Sequence, residues 1–559
     1  MKIVIVGGVA GGMSAATRLR RLDESAEIVV FERGPYVSFA NCGLPYYVGG
    51  IIEDRESLLL QTPASLAARF RLDARVLQEV TRIDRESRTV EVTGVRDGVT
   101  HTEPYDVLIL AAGATVTGTL PGNDIPVHTL RTIDDVDAIT TVLDEAGDSA
   151  RAVVMGAGFI GLEAVENLIA RGLAVTLVQR GPRPLSPLDP EMAAPVIDAL
   201  RDHGVDLRVH TTVTDIRAGM VHLDDGTAVA ADLIIDARGV RPDSSLARDA
   251  GIAIGASGGI VVDEFQRTSD PSIYAVGDAV EKTDGIDHGA TLVTMAGLAN
   301  RHGRTAADAI AGVAEPSVPA FGASIVGLFG LTIAMIGWSE TRLLAAGRPH
   351  RVIHTHPSSH AGYYPGAEQM SMKLLVDAET DAILGAQIVG GSGVDKRIDV
   401  IATAMAGGLT ASQLSRLELA YAPQFASAKD AVNMAGYVAD NLATGATRSV
   451  QWHELENAIS SGAILIDVRS PGEFDRGGIP GAINLPLDEI RERAAELPDA
   501  PIIVHCQVGQ RGHTAARLLS QLGHDVQNLD GGYRTWLAGM SSTSPTTGAH
   551  RTPPATPLA

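Results

Sequence analysis

Cysteine is almost missing from this chain: its 559 residues contain two, Cys42 and Cys506. They stand too far apart in sequence for a disulfide scaffold and no C-x-x-C pair occurs, so each thiol needs its own explanation. Aromatic residues are scarce, at 4%. Positive charge is outweighed, with 45 Lys+Arg against 67 Asp+Glu and a formal net charge of -22. That field repels phosphate backbones and anionic membranes, which argues against nucleic acid as a general partner and leaves room only for a local basic pocket. A secretory leader is not expected either. The opening run MKIVIVGGVAGGMSAA is interrupted by Gly7, Gly8, Gly11 and Gly12 and passes straight into a cationic helix carrying Arg18, Arg20 and Arg21. Residues 316–339 hold no charge, but Pro316, Pro319 and four glycines make a poor spanning helix, and the β-branched content predicts buried strands. A cytoplasmic protein with no membrane contact is the expectation.

What the chain does have is 45% hydrophobic against 20% charged residues, enough to bury a large core. At roughly 150 residues per domain it should form three or four. The first organising feature is an internal repeat. Strand Lys2–Val6 leads into Gly7-Gly8-Val9-Ala10-Gly11-Gly12, then a helix to about Leu22 and a strand from Glu27 that ends in Glu32. Ala152–Met155 leads likewise into Gly156-Ala157-Gly158-Phe159-Ile160-Gly161, a helix over Leu162–Ala170, and a strand from Ala174 that ends at Gln179. Strand, glycine turn, helix, strand is the arrangement that seats a pyrophosphate on the amides and positive end of a helix. Two such units in full context predict two dinucleotide sites.

The residue closing each second strand separates the ligands. Glu32, followed by Arg33, can accept an adenosine-ribose hydroxyl, which points to FAD in the first unit, although Val9 stands where the middle glycine is expected. Gln179 is neutral and Arg180 and Arg183 follow it, so a 2′-phosphate would meet no carboxylate. This favours NADPH over NADH and leaves open that both arginines are plain surface residues. Two further apolar strands end in tight turns: Asp106–Ala114, with Ala112 and Gly113, and Ile273–Ala279, with Gly277 and Asp278. Asp278 at a strand end is placed to accept from flavin ribityl hydroxyls.

Cys42 lies in Ser38-Phe39-Ala40-Asn41-Cys42-Gly43-Leu44-Pro45, after the ribose-binding acid and just before an apparent helix start. A helix N-terminus lowers a thiol's pKa, so the position predicts a redox thiolate. On these motifs Met1 to about Gly445 resembles the single-cysteine branch of the pyridine nucleotide-disulfide oxidoreductases. More narrowly it is similar to the coenzyme A-disulfide reductases, whose S-F-x-x-C run is matched by Ser38–Cys42. The resemblance implies coenzyme A contacts from Ser14, Arg18, Arg21, Ser38 and Asn41. A lysine that the family places near residue 70 is replaced by Phe70, between Arg69 and Arg71. His360–Gly366 and Ala420–Pro423, with Ser427 and Lys429, resemble the family's dimer-interface motifs. This implies a homodimer in which Tyr364 and Tyr421 serve the partner's flavin and thiol, with Tyr363 the alternative to Tyr364. Lys429 is carried over as a substrate contact.

After Gly445 the pattern changes. Ile502–His505 is an apolar strand running into Cys506-Gln507-Val508-Gly509-Gln510-Arg511 and a helix over His513–Leu522. A cysteine ending a strand and opening a helix is placed for thiolate stabilisation, with loop amides to ring a persulfide. The segment 449–540 resembles a rhodanese domain, with Gly478 where that family commonly has histidine. The Ser/Thr/Pro-rich stretch 541–559 is expected to be disordered.

The fold expected is therefore α/β: two Rossmann-like domains, an α+β dimerisation domain, and a rhodanese-like α/β domain. The boundaries read from the sequence are 1–114 with 240–315 for FAD, 115–239 for NAD(P)H, 316–445 for dimerisation and 449–540 for rhodanese. The resemblance implies an FAD-dependent NAD(P)H reductase of coenzyme A disulfide, coenzyme A persulfide and polysulfide, with no metal. The branch also contains NAD(P)H oxidases and peroxidases that cycle the cysteine through sulfenic acid. A redox-sensing sulfur relay is the alternative of another class.

Overall fold

Ile3, Val4 and Ile5 are fully buried, because strand Lys2–Val6 is the centre of a parallel sheet covered on both faces. The strand order is Ile273–Ala275, Val107–Leu110, Lys2–Val6, Glu27–Glu32, Asp73–Val76. Ile3 and Ile5 pack with Met13, Ala16 and Leu19 of helix Ala10–Leu22 on one face. Val4 packs with Val29, Phe31 and Leu110 on the other. Every pairing in this sheet is parallel.

A second five-stranded parallel sheet repeats the device, in the order Asp206–Val209, Ala174–Gln179, Arg151–Met155, Leu233–Asp236, Val127–His128. The computed structural model describes residues 1–116, 118, 125–146 and 150–543. Both sheets belong to one compact unit, Met1–Ser186 with Ala199–Gly337; the other unit takes Pro187–Asp198 and the chain from Trp338 onward. The uncharged stretch 316–339 forms the antiparallel strands Ser324–Leu328 and Leu331–Gly337, with Trp338 and Ser339 falling in the second unit. Of the two strands, Leu331–Gly337 has a buried centre; Ser324–Leu328 alternates and leaves Ile325 half exposed, so burial there is less complete than the composition suggested.

In the second unit, antiparallel strands His350–Thr355, Ser371–Asp377 and Ile383–Gly390 adjoin helices Val394–Ala406 and Ala431–Ala443. A further parallel sheet follows, ordered Ser449–Val450, Val526–Leu529, Ile502–His505, Ile464–Asp467, Ile483–Asn484. The last helix runs Gly532–Thr543 and so takes in the first three residues of the expected disordered tail; the rest of that tail lies outside the described residues. Among the described residues no helix is long and apolar enough to cross a membrane.

Candidate active sites

The two glycine turns are built alike. Gly7 has φ +103°, and a Cβ there would lie 2.2 Å from the Ala111 carbonyl oxygen; a Cβ on Gly12 would lie 1.9 Å from that of Gly7. Gly156 (φ +98°) and Gly161 repeat this, with 2.5 Å to Ala237 and 1.9 Å to Gly156. These four glycines are required by the protein's own close packing. Val9 has φ -112°, outside the left-handed region that favours glycine, so the first turn does not need one there. Gly158 differs: its φ is -80° and its missing Cβ would point into open space. Neither backbone nor packing demands glycine there, so what it leaves is room for a ligand against the helix start, as a dinucleotide requires.

The residues closing the second strands also correspond. Glu32 accepts from the Gly8 and Gly34 amides through its two oxygens, each at 2.8 Å. The Gln179 side-chain oxygen accepts from the Ala157 amide at 3.1 Å, while its amide nitrogen faces Ser186 Oγ at 3.4 Å. Arg180 is exposed and Arg183 half-buried, and Arg33 lies exposed 3.9 Å from Asp243. Asp278 follows strand Ile273–Ala275 in a short 3-10 turn with Gly277. Burial pushes its carboxyl above the ordinary range, against the pull of Lys282 and Arg131. Lys282 donates to the Gly277 and Val280 carbonyls at 2.7 and 2.9 Å, and burial pulls it down to about 8. His302, buried with Nδ1 unpartnered, is brought to about 4 by burial and then by Lys282 and Arg301. The acceptor at Glu32, the protein-packed glycines and the desolvated carboxyl of Asp278 suit a flavin dinucleotide: Glu32 for the ribose, the turn for the pyrophosphate, Asp278 for the ribityl chain.

Cys42 is exposed in a single 3-10 turn, Asn41–Gly43, ahead of the five-residue helix Leu44–Val48. The expected lowering of its pKa by a helix N-terminus is not what results. The packed walls around the thiol push it up, and Glu163 adds to the rise. So short a helix, capped by Gly43, offers little field to offset them. Tyr46, four residues on, donates to Glu163 at 3.1 Å, and burial followed by Glu163 pushes the phenol up to about 12. Burial also raises the Glu163 carboxyl, opposed by the Tyr46 hydrogen bond and aided by Glu166. Asn41 donates to the Arg131 carbonyl at 3.0 Å, and Ser38 sits at φ +50° with its amide on the Gly8 carbonyl. On helix Ala10–Leu22, Ser14 binds Asn300 at 2.7 Å, Arg18 pairs with Asp308 at 2.6 Å, and Arg21 is exposed. One of the two cations carried over for coenzyme phosphates is thus already paired.

In the second unit, Cys506 is fully buried at the end of strand Ile502–His505, and Gly509 (φ +90°) caps helix Gln510–Gln521. Its carbonyl accepts from the Tyr533 amide at 2.8 Å, and that of Gln507 from the Arg534 amide at 3.0 Å. A trans peptide points its N–H opposite its C=O, so the amides of Gln507 and Val508 face away from those donors. Among the described residues neither donates to a protein acceptor. Arg511 holds Glu473 with two bonds of 2.8 and 2.6 Å, and buried Arg469 reaches Gln507 at 3.0 Å. Gly478 lies beside Phe474 and Arg469. Elsewhere in this unit, Tyr421 meets Tyr363 hydroxyl to hydroxyl at 3.0 Å, whereas Tyr364 accepts from Gln424 at 3.2 Å. All three tyrosines, Phe425 and Lys429 are exposed.

The pyridine nucleotide-disulphide oxidoreductase model matches residues 1–299, more than half of the chain, and the dimerisation-domain model of the same family matches 324–432. The chain belongs to this oxidoreductase family. A rhodanese-like domain matches 451–539. This oxidoreductase is similar to the crystal structure of reduced Bacillus anthracis CoADR-RHD: 46% identity, TM-score 0.95, covering 97% of this chain and 98% of that one. An NAD-dependent persulfide reductase from A. fulgidus matches at 35% identity and TM-score 0.89, covering 96% of this chain and all of its own. The coenzyme A disulfide reductase of Staphylococcus haemolyticus is 34% identical over 442 residues, 79% of this chain and 100% of the relative. The oxidoreductase is an FAD- and NAD(P)H-dependent enzyme with an appended rhodanese-like domain.

Sequence reasoning passed over Tyr46, Glu163, Arg131, Lys282 and His302. Glu163 could have been noticed two residues past Gly161, but nothing in the spacing joins it to Tyr46.

Proposed function

We propose that the enzyme uses NAD(P)H to reduce coenzyme A disulfide, coenzyme A persulfide and polysulfide at Cys42, while Cys506 carries sulfane sulfur. The observation that carries this reading is a pair of lone thiols in contrasting settings. Cys42 is exposed and so open to an incoming disulfide, and Cys506 is enclosed under loop amides that suit a persulfide anion. Two of the relatives named above carry the corresponding names, a coenzyme A disulfide reductase and an NAD-dependent persulfide reductase.

The Cys42 thiolate attacks one sulfur of coenzyme A disulfide; the S–S bond breaks, one coenzyme A leaves as its thiolate, and the other stays on Cys42 as a mixed disulfide. Glu32, the first glycine turn and Asp278 would hold FAD, which when bound would supply the two-electron relay from nicotinamide. Gly158, Gln179 and Arg180 would hold the nicotinamide coenzyme, with Gly161 packing the turn beneath it. Tyr46 donates to Glu163, and the Glu163 charge, after burial, holds back ionisation of the Cys42 thiol. Ser14, Arg21, Ser38 and Asn41 contact coenzyme A. The exposed tyrosines Tyr363, Tyr364 and Tyr421 form part of a homodimer interface, with Tyr421 and its partner Tyr363 offering a phenol to a departing thiolate. The protein works in the cytoplasm.

The test is anaerobic oxidation of NADPH and NADH with each acceptor, for wild type, Cys42→Ser and Cys506→Ser. Turnover abolished by Cys42→Ser, with loss of persulfide or polysulfide turnover alone in Cys506→Ser, is expected. No anaerobic turnover, but coenzyme consumption once air is admitted, would overturn the reading in favour of an oxidase.

A further inference from the structure

Strand His350–Thr355 of the dimerisation domain and the turn Asp530–Gly531 of the rhodanese domain, which leads into helix Gly532–Thr543, meet through a buried ion pair. His354 presents its backbone amide and its Nδ1 to one oxygen of Asp530, at 2.8 and 2.7 Å. Its Nε2 lies 3.0 Å from Glu191 Oε1. With a carboxylate at each ring nitrogen, the ring carries both protons. Burial alone would lower its pKa, but Asp530 and Glu191 outweigh burial and hold it at about 9. Glu191 is in turn bound by Lys373 at 2.5 Å, and Gln451 donates to Asp530 at 3.3 Å.

The next residues connect this pair to the sulfur loop. Gly531 has φ +65°, and a Cβ on it would lie 2.7 Å from the His354 Cβ. Gly532 has φ +65° too, and its Cβ would lie 2.5 Å from the Cys506 carbonyl oxygen. Tyr533 and Arg534 then donate their amides to the Cys506 and Gln507 carbonyls. Those two bonds turn the amides of Gln507 and Val508 to the opposite side, as described above. Thr535 is tied to the dimerisation domain as well, through His356 Nε2 at 2.8 Å.

We propose that Asp530 and His354 are positioning residues for Cys506: a clamp in the dimerisation domain braces the loop that orients the sulfur-binding amides. The rhodanese domain's chemistry then depends on a residue outside that domain. This rests on the reading of Cys506 as a sulfane-sulfur carrier. The loading step is attack of the Cys506 thiolate on the outer sulfur of a donor such as thiosulfate. A new S–S bond forms on Cys506, the donor S–S bond breaks, and sulfite departs with the electron pair.

The experiment follows thiosulfate loading of Cys506 by intact-protein mass spectrometry in full-length wild type, Asp530→Asn and His354→Gln. The same samples are assayed for NAD(P)H oxidation with coenzyme A disulfide, which reports Cys42. The expected result is that both variants load more slowly by roughly tenfold or more, mainly in the maximal rate, because amides moved by a fraction of an ångström lose their aim. Reduction of coenzyme A disulfide stays within about twofold of wild type. Loading at the wild-type rate in both variants overturns the clamp alone. Parallel loss of both activities overturns it too, since the pair would then serve only general stability. Wild type that takes up no sulfur, yet reduces coenzyme A disulfide, overturns the carrier reading and the clamp with it.

Discussion

Tyr46 donates a hydrogen bond to Glu163 across 3.1 Å, tying the segment after Cys42 to the helix that follows the second glycine turn. Glu163 raises the pKa of Cys42 through its charge, second only to burial. Replacing it with glutamine removes that charge and keeps a partner for Tyr46. Glu163→Gln should therefore move the pH profile of Cys42 alkylation by iodoacetamide to lower pH and speed the reaction at neutral pH. An unmoved profile would mean that burial alone controls the thiol.

Gly158 and Gly161 should behave oppositely. A methyl at Gly161 would press on the Gly156 carbonyl at 1.9 Å, a cost of at least ~1–3 kcal/mol from overpacking. A methyl at Gly158 meets no protein atom within 4 Å. Gly161→Ala should lower the thermal midpoint. Gly158→Ala should leave it unchanged and raise the KM for nicotinamide coenzyme, as steady-state kinetics would show.

Gln179 takes the place in the second unit that Glu32 holds in the first, binding the turn amide as a neutral group. Gln179→Glu should keep that hydrogen bond and repel a 2′-phosphate. The expected change is a fall in the NADPH/NADH ratio of kcat/KM by about tenfold, about 1.4 kcal/mol. Equal effects on both coenzymes would place the 2′-position elsewhere.

The second unit should lose stability at both ends of the pH range. Burial raises Glu340, but His350 and Lys373 outweigh it and hold the carboxyl at about 2. A depressed carboxylate contributes stability that is present above its unfolded pKa, near 4.5, and is lost as pH falls towards 2. His354 is raised to about 9, so its contribution is complete below its unfolded value near 6.5 and disappears as pH rises through 9. Urea unfolding followed across this range should show an acid limb and an alkaline limb, and His354→Gln should remove much of the alkaline one.

The glycine turns, Glu32, Gln179 and both cysteines could be read from the sequence because each motif is contiguous and its chemistry lies within a few residues. The partnerships could not. Glu163 meets Tyr46 across 117 positions, and Asp530 meets His354 across 176, with no periodicity to announce either. The Cys42 shift runs opposite to the local expectation for the same reason: a helix start is visible locally, whereas the burial that raises the thiol, and then the Glu163 carboxylate, come together only in the fold. Among the tyrosines, adjacent residues of one type gave no local ground for choosing Tyr363 over Tyr364 as the neighbour of Tyr421.

Lys373 is wholly buried and touches Asp189, Glu191 and Glu340 at 3.0, 2.5 and 2.6 Å. Its ammonium fills the space between three carboxylates that would otherwise suit a cation. Two of those carboxylates belong to Pro187–Asp198, a short excursion from the middle of the nucleotide-binding sequence. The C-terminal part is consequently not portable. A fragment begun at Trp338 would leave Lys373 with one counter-charge instead of three, and grafting the rhodanese-bearing half onto another reductase would require transplanting a twelve-residue passenger from far upstream.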